Sequence, residues 1–528
     1  MLTVHRWGVF EAEFKSDISY SDPFKDVDLT CLFKSPSGRE IPINAFWDGS
    51  LTWRVRFMPD EVGVWAYRTL CSNEENEGLH GQTGLFECVP YDGENPLYIH
   101  GPLKLSGNRR FLIHSDGTPF FWLADTAWNG IIKSKEDEWR DYLALRREQG
   151  FSAVQFVMTH WRGGTCDLKR ERAYIGRRKI IKLNVEFFKR IDPKFSMINK
   201  FGIVAAPVLL WAIKYPKFNV NPGFNLIEED AILLARYLTA RYGAYILVWI
   251  LAGDGDYKGE KAERWKRIGR AVFSEGHRHP VTMHPMGKHW LLPEFQSESW
   301  LDIIGYQSGH GVNEEDLKWL CFGPPSYDWK TEPARPVINL EPNYEEHLAY
   351  KIRKPITPHM VRRAAYWSLL ISPTAGVSYG TNGIWYWSRR YREPANHPGI
   401  GLAKPWRKSL KLPGAENMNV LKRIFESIQW WNLTPSPEIL LEQPGISDVE
   451  SFIAAAKDDD GSLALIYTPK KQPLKLNLKW LKKPLRALWI NPSTGERIEN
   501  GILNFEEIIL HPPEPGDWLL LLEAYMAG

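Results

Sequence analysis

The sequence is poor in the features that mark many specialised chains. Its 528 residues include only five cysteines (Cys31, Cys71, Cys88, Cys166 and Cys321), widely spaced and with no C-x-x-C pair. That excludes a zinc ribbon or a dithiol redox motif and makes buried free thiols in a reducing compartment the expected state. No run of 18 apolar residues occurs, so no membrane-spanning helix is expected. Lys+Arg 66 against Asp+Glu 63 leaves a net charge of +3, too balanced to point to a nucleic-acid partner. The N-terminal Met1-Leu-Thr-Val-His-Arg-Trp7 lacks the charged-then-apolar pattern of a signal peptide, and a cytoplasmic location is the expectation. A serine nucleophile elbow, H-E-x-x-H, a Walker loop and the kinase motifs are all missing. Nothing here calls for a metal or a cofactor.

Aromatic residues are abundant, with 24 Trp, 21 Tyr and 24 Phe. Such rings fill large cores, and they also offer flat apolar faces to ligands such as sugars. Three stretches differ in texture. Residues 1–95 alternate apolar and polar side chains with period two, as in Val27-Asp-Leu-Thr-Cys-Leu-Phe33, Trp53-Arg-Val-Arg-Phe57 and Val64-Trp-Ala-Tyr-Arg68. Turn signals such as Ser37-Gly38 and Asp48-Gly49 break them, which predicts a small antiparallel β-sandwich. Residues 96–119 read as a linker wrapping onto the next unit. Residues 120–431 then carry eight short apolar runs, beginning at Phe120, Ala153, Gly202, Tyr245, Pro280, Ile303, Pro336 and Gly376. Amphipathic stretches lie between most of them, and Ser134 with Asp137 is placed like a capping box at the head of the first. Eight such units predict a central (β/α)8 TIM barrel. An open doubly wound sheet would carry a glycine-rich phosphate loop after its first strand, and Asp125-Thr-Ala-Trp-Asn129 stands there instead. Residues 432–528 return to β texture, with a hairpin predicted across Asp458-Asp-Asp-Gly461, and suggest a second β-sandwich. The expected protein is thus multidomain, a TIM barrel flanked by N-terminal and C-terminal β-sandwiches.

A barrel presents its active site at the C-terminal ends of its strands. In chain order those exits carry Asp125 and Trp128, His160 and Trp161, Trp211, Asp254 and Asp256, and His284. Tyr306, Gln307 and His310, then Glu341, then Tyr379 with Asn382 complete the ring. Asp254 ends Val248-Trp-Ile-Leu-Ala-Gly253, and Glu341 ends Val337-Ile-Asn-Leu340. A carboxylate closing an apolar run is costly to bury unless paired or used. A pair at the fourth and seventh exits faces across the barrel mouth and suits glycosidic hydrolysis, one group as nucleophile and the other as acid and then base. Asp256 rivals Asp254 as the acid. Asp125 and His160 are candidates to hold sugar hydroxyls, and His284 and Tyr306 to hydrogen-bond Glu341. Trp128, Trp161, Trp211 and Trp385 are candidate stacking platforms.

Four blocks carry a family resemblance: Phe121-Trp-Leu-Ala-Asp-Thr-Ala-Trp128, Val248-Trp-Ile-Leu-Ala-Gly-Asp254, Ile338-Asn-Leu-Glu-Pro-Asn-Tyr-Glu345 and Ala375-Gly-Val-Ser-Tyr-Gly380. They resemble the apiosidase-like glycoside hydrolases. The N-terminal region, with Asp22-Pro-Phe24, Phe46-Trp-Asp-Gly49, Arg54-Val-Arg-Phe57 and Gly63-Val-Trp65, resembles the β-sandwich fused before them. The C-terminal region resembles the small β-domain that follows, named for collagen binding. The resemblance implies a retaining hydrolase with its acid/base aspartate at Asp254 and its nucleophile at Glu341, acting on a small glycoside or oligosaccharide, an apioside or other furanoside by the family's name. Ala252 stands where the family block has Gly. Two other readings remain open at this stage. One is a non-catalytic carbohydrate-binding or adhesion protein on a degenerate barrel. The other is a metal-dependent hydrolase using His160, His284 and His310 with Asp254.

Overall fold

The computed structural model describes residues 1–176, 181–215, 217, 220–273 and 277–525. At its centre eight parallel strands form one sheet. We number the barrel elements in chain order. They are β1 (Trp122–Thr126), α1 (Glu136–Glu148), β2 (Ala153–Val157), α2 (Val185–Lys200), β3 (Val204–Trp211), α3 (Glu228–Tyr242), β4 (Trp249–Gly255) and α4 (Glu260–Phe273). Then follow β5 (Val281–Pro285), the short α5 (Leu292–Phe295), β6 (Ile304–Tyr306), α6 (Glu314–Phe322), β7 (Val337–Asn339), α7 (Pro358–Leu370), β8 (Gly376–Tyr379) and α8 (Pro413–Glu426).

The hydrogen-bonded order is β5-β4-β3-β2-β1-β8-β7-β6. The two ends then approach each other: the Ile303 N–H donates to Val281 O at 3.1 Å and the Thr282 hydroxyl to Ile303 O at 3.0 Å. The sheet is therefore nearly closed into a TIM-like barrel. Its strands are buried along almost their whole length, β3 at all eight positions, because helices cover one face and barrel-filling side chains the other. This is why the runs read as continuous apolar stretches rather than alternating ones. The helices start where side chains satisfy their free N–H groups: Asn184 before α2, Asn313 before α6 and Thr357 before α7. For α1 the reciprocal bond lies one residue beyond the expected box. Glu138 accepts the Lys135 N–H at 2.9 Å, while Ser134 ends the preceding short helix.

Before the barrel, a five-stranded and a three-stranded sheet enclose an aromatic core in which Phe33 stacks on Phe57 and Phe10 on Phe86 at about 4 Å. One strand departs from the antiparallel expectation. Leu2–His5 pairs parallel to Thr83–Val89, which brings the chain start to a sheet edge. The stretch expected as a linker is ordered: a short helix, Pro96–His100, leads into a meander of Leu103–Leu105, Leu112–His114 and Pro119–Phe120. Beyond the barrel, a six-stranded and a two-stranded sheet enclose a separate core that includes Trp489 and Trp518. The hairpin at Asp458 forms as expected, its carboxylate accepting the Leu463 N–H at 3.0 Å.

Buried ions tie these parts together. Arg241, fully buried on α3, donates to Asp192 on α2 and to Asp48 of the N-terminal sheets at 2.7–2.9 Å. Arg362 on α7 forms a two-point pair with Asp517 of the C-terminal sheets at 2.7 and 3.0 Å. All five cysteines are free; four are buried and Cys166 is partly exposed. No helix among the described residues is long and apolar enough to cross a membrane.

Candidate active site

The C-terminal mouth of the barrel holds a cavity of about 260 Å³, just under the ~300–1,000 Å³ common for ligand pockets. Asp254 and Glu341 both line it. Each owes its position to a local feature of backbone or neighbours.

Asp254 sits in a bulge of β4. Against β5, Gly253 pairs with His284 and Gly255 with Pro285, so Asp254 is one residue too many and is left without a partner. Its φ of +52° is left-handed, a conformation aspartate tolerates better than most residues. Bulges of this kind re-aim a side chain. The glycines on either side are required by close approach: a Cβ at Gly253 would lie 2.4 Å from the Trp211 ring, and one at Gly255 2.5 Å from Tyr257. Only 14% of the Asp254 side chain is exposed, and Arg162 donates to Oδ2 at 3.1 Å. Burial raises its pKa and the Arg162 charge opposes this. The nearby Glu341 charge raises it further, leaving it above the usual aspartate value.

Glu341 follows β7 and is held tightly. Gln307 Nε2 donates to Oε1 at 2.9 Å, and His310 Nε2 reaches the same oxygen at 2.9 Å. The backbone N–H of Tyr344 donates to His310 Nδ1 at 3.3 Å. An accepting Nδ1 puts the proton of a neutral imidazole on Nε2, so His310 is a donor to Glu341. His284 Nε2 lies 3.3 Å from Oε2, without the alignment of a hydrogen bond. Burial by itself would raise the pKa of Glu341, but His284 and His310 outweigh it and hold the carboxyl well below its ordinary value. One cavity thus contains two carboxyls whose environments drive their proton affinities apart, the pattern that separates an acid from a nucleophile.

The walls are aromatic. Trp128, Trp161, Trp211 and Trp385 all line the cavity, with Trp161 and Trp211 centroids 4.4 Å apart. Three indole N–H groups are committed, Trp128 to Tyr344 Oη, Trp161 to Asn129 and Trp385 to Asn382. The fourth, Trp211 Nε1, is buried without a partner among the described residues.

Other residues singled out in the sequence lie elsewhere. Asp125 is fully buried on the helix-facing side of β1, bound to the Tyr142 hydroxyl at 2.8 Å and to Arg146 Nε at 2.6 Å, both on α1. It pins a helix and is absent from the lining of the barrel-mouth cavity. His160 is buried against Tyr174, accepts the Ala173 N–H and has its pKa pushed down by burial to about 3. Tyr306 points out of the barrel and packs between Trp290 and Trp319, while the next residue, Gln307, turns inward to Glu341. Asp256 lies at the surface with Lys261 at 2.6 Å, which lowers its pKa, and is absent from the cavity lining. His284 lies beneath the cavity, edge-on to Trp128. Arg162, Tyr344, His347, Tyr350 and His397 also line it. They sit on loops after β2, β7 and β8 whose paths no local sequence signal reveals.

Fold and site together define a glycosidase built on a barrel. Residues 106–432 match the family model described as "Apiosidase-like, catalytic domain", and the chain belongs to that family. Residues 3–72 match a domain of unknown function (DUF5060), and residues 434–523 match a model named for the collagen-binding domain of a collagenase. No curated protein sequence matches the chain. Among solved structures, one described as "Glycoside hydrolase" superposes with TM-score 0.70 at 21% identity, over 82% of this chain and 99% of its own. A glycoside hydrolase family 5 protein from Bacteroides vulgatus ATCC 8482 gives 0.71 at 22%, over 81% and 94%. Another chain from that bacterium gives 0.73 at 18%, over 99% and 100%, so the three-part arrangement is shared. At these identities the likeness speaks to the fold.

Proposed function

We propose that the protein is a retaining glycosidase acting on a small glycoside or oligosaccharide, with Glu341 as nucleophile and Asp254 as acid/base, on eight strand–helix pairs read as a (β/α)8 barrel. The observation that carries this reading is the pair of carboxyls in one aromatic cavity, one bound at Oε1 by two N–H donors and held low in pKa by His284 and His310, the other raised. In the first step Glu341 attacks the anomeric carbon while the Asp254 proton passes to the departing glycosidic oxygen as its bond to that carbon breaks. In the second, Asp254, now a carboxylate, takes a proton from water, and the resulting hydroxide displaces Glu341 from the anomeric carbon. Gln307 and His310 orient the nucleophile, and the four tryptophans supply faces for a sugar ring. The cavity volume suits one or two rings, in keeping with the family name's suggestion of an apiosyl or other furanosyl group.

The test is a panel of aryl glycosides, furanosides included, run on wild type and Glu341→Ala. A substrate turned over by wild type is expected to lose about 10⁴-fold or more in the variant, with partial rescue by formate. Full-rate turnover without this carboxylate removes it as nucleophile.

A further inference from the structure

Three side chains in the wall of the catalytic cavity spend their N–H groups on the protein itself. His347, on the loop after β7, lines the cavity and is 2% exposed. Its Nδ1 lies 2.8 Å from Leu348 O. His397, on the loop after β8, lines the cavity too, T-shaped against Trp385 with centroids 4.9 Å apart, and its Nδ1 lies 3.1 Å from Ala395 O. A carbonyl oxygen can only accept, so in both rings a proton sits on Nδ1. Burial keeps both imidazoles neutral, pushing the pKa down to about 2 for His347 and about 4 for His397; His310 beside the first and the Arg162 charge near the second act the same way. A neutral ring with its proton on Nδ1 keeps a bare lone pair on Nε2. Neither Nε2 has a partner among the described residues.

Gln307 follows the same logic. Its amide nitrogen donates to the Glu341 carboxylate, and its Oε1 is buried with no partner among the described residues. The His310 ring, whose centroid is 4.2 Å from that of His347, has the opposite tautomer: it accepts the Tyr344 N–H on Nδ1 and gives its Nε2–H to Glu341. Two neighbouring imidazoles thus present opposite ends, one donating to the nucleophile and the other accepting from the cavity. A wall that offers two bare Nε2 atoms and an amide oxygen needs hydrogens from its ligand. A hydroxyl brings one; a carboxylate, a carbonyl or a methyl ether brings none.

We propose that His347 and His397 set the specificity of the cavity, each accepting the hydrogen of a different hydroxyl on the glycosyl group held between the two carboxyls. The proposal rests on the two-carboxylate reading above. A hydroxyl that gives its hydrogen to an imidazole keeps its oxygen free to accept in turn, and the Trp211 N–H, buried in the same wall without a partner among the described residues, is a donor of the kind it needs. A substituent that can only accept finds no match at either Nε2, so loss of the hydrogen costs as much as loss of the whole hydroxyl.

Aryl glycosides in which one hydroxyl at a time is replaced by hydrogen or by fluorine separate a wall that accepts from one that donates. The carbon next to the anomeric centre is left intact, because fluorine there slows formation of the oxocarbenium-like transition state by itself. At two other positions kcat/KM is expected to fall about tenfold or more for both replacements alike. His347→Phe, which keeps a flat ring against His310, is expected to shrink the preference for hydroxyl over hydrogen about tenfold at one of these positions and to spare the other; His397→Phe does the reverse. Fluoro glycosides that match their hydroxyl parents, equal losses on every substrate, or a hydroxyl preference untouched by both substitutions overturn the proposal. The tautomers are read without turnover from the imidazole nitrogen chemical shifts of the isotope-labelled whole protein near neutral pH, assigned with the same two variants. Both rings are expected to carry the proton on Nδ1, and a proton on Nε2 in either overturns the proposal. No hydrolysis of any parent glycoside by wild type, with both rings in the expected tautomer, counts against the glycosidase reading and leaves the acceptor assignment standing.

Discussion

Replacing Gln307 by leucine tests the electrostatics of the nucleophile in isolation from its chemistry. The substitution keeps the bulk of the side chain beside Glu341 and deletes one of the two donors to Oε1, each at 2.9 Å. A hydrogen bond to a buried charge is worth about 1.5–3 kcal/mol, and about 1.4 kcal/mol corresponds to one pKa unit. Protonation of Glu341 is therefore expected to become about 10- to 100-fold more favourable. The sign follows from the ionised form being the one that is stabilised. A carboxyl held below its ordinary value stabilises the fold above that value, and the contribution is lost as pH falls through the folded-state pKa. Weakening the hold lowers stability near neutral pH and moves the acid limb of kcat/KM upward. The assay is kcat/KM for the best aryl glycoside from about pH 2, or as low as the fold persists by near-ultraviolet circular dichroism, up to about pH 9, with the fall-off at the acid end compared between wild type and variant. An acid limb that stays where wild type has it would refute both the assignment of Glu341 and the role given to its amide donor.

Two further outcomes are expected. Asp254→Ala should lose about 10²–10⁴-fold on substrates with poor leaving groups and much less on activated aryl glycosides, because the latter need little protonation; equal losses measured across a leaving-group series would place the acid elsewhere. Asp125→Ala should destabilise the barrel by about 3–5 kcal/mol, since it strands the fully buried Arg146, read as a lower urea midpoint with kcat/KM of the folded fraction unchanged. A specific rise in KM would instead return Asp125 to the substrate site.

Much of the fold was legible because its signals are local. Eight apolar runs gave eight strands, with β8 at its expected bounds and β4 displaced toward Asp254. The meander at 103–120 was not legible, as its strands are two or three residues long and carry no periodicity. Among the site residues, the four tryptophans, Asp254 and Glu341 do converge on one cavity. Asp125, His160 and Tyr306 do not, because in a strand buried on both faces an inward and an outward side chain look alike in sequence.

The amino-acid order alone determined the family, the strand–helix rhythm and the two acidic residues that close apolar runs, since each is written in contiguous residues. Tertiary structure decided the rest. A one-residue bulge, visible only against β5, turns Asp254 inward and leaves Asp256 at the surface beside Lys261. Gln307 and His310 reach Glu341, and Arg162 reaches Asp254, across separations of 31 to 92 residues. Side-chain direction and long-range convergence depend on barrel closure and register, and no stretch of neighbouring residues encodes them.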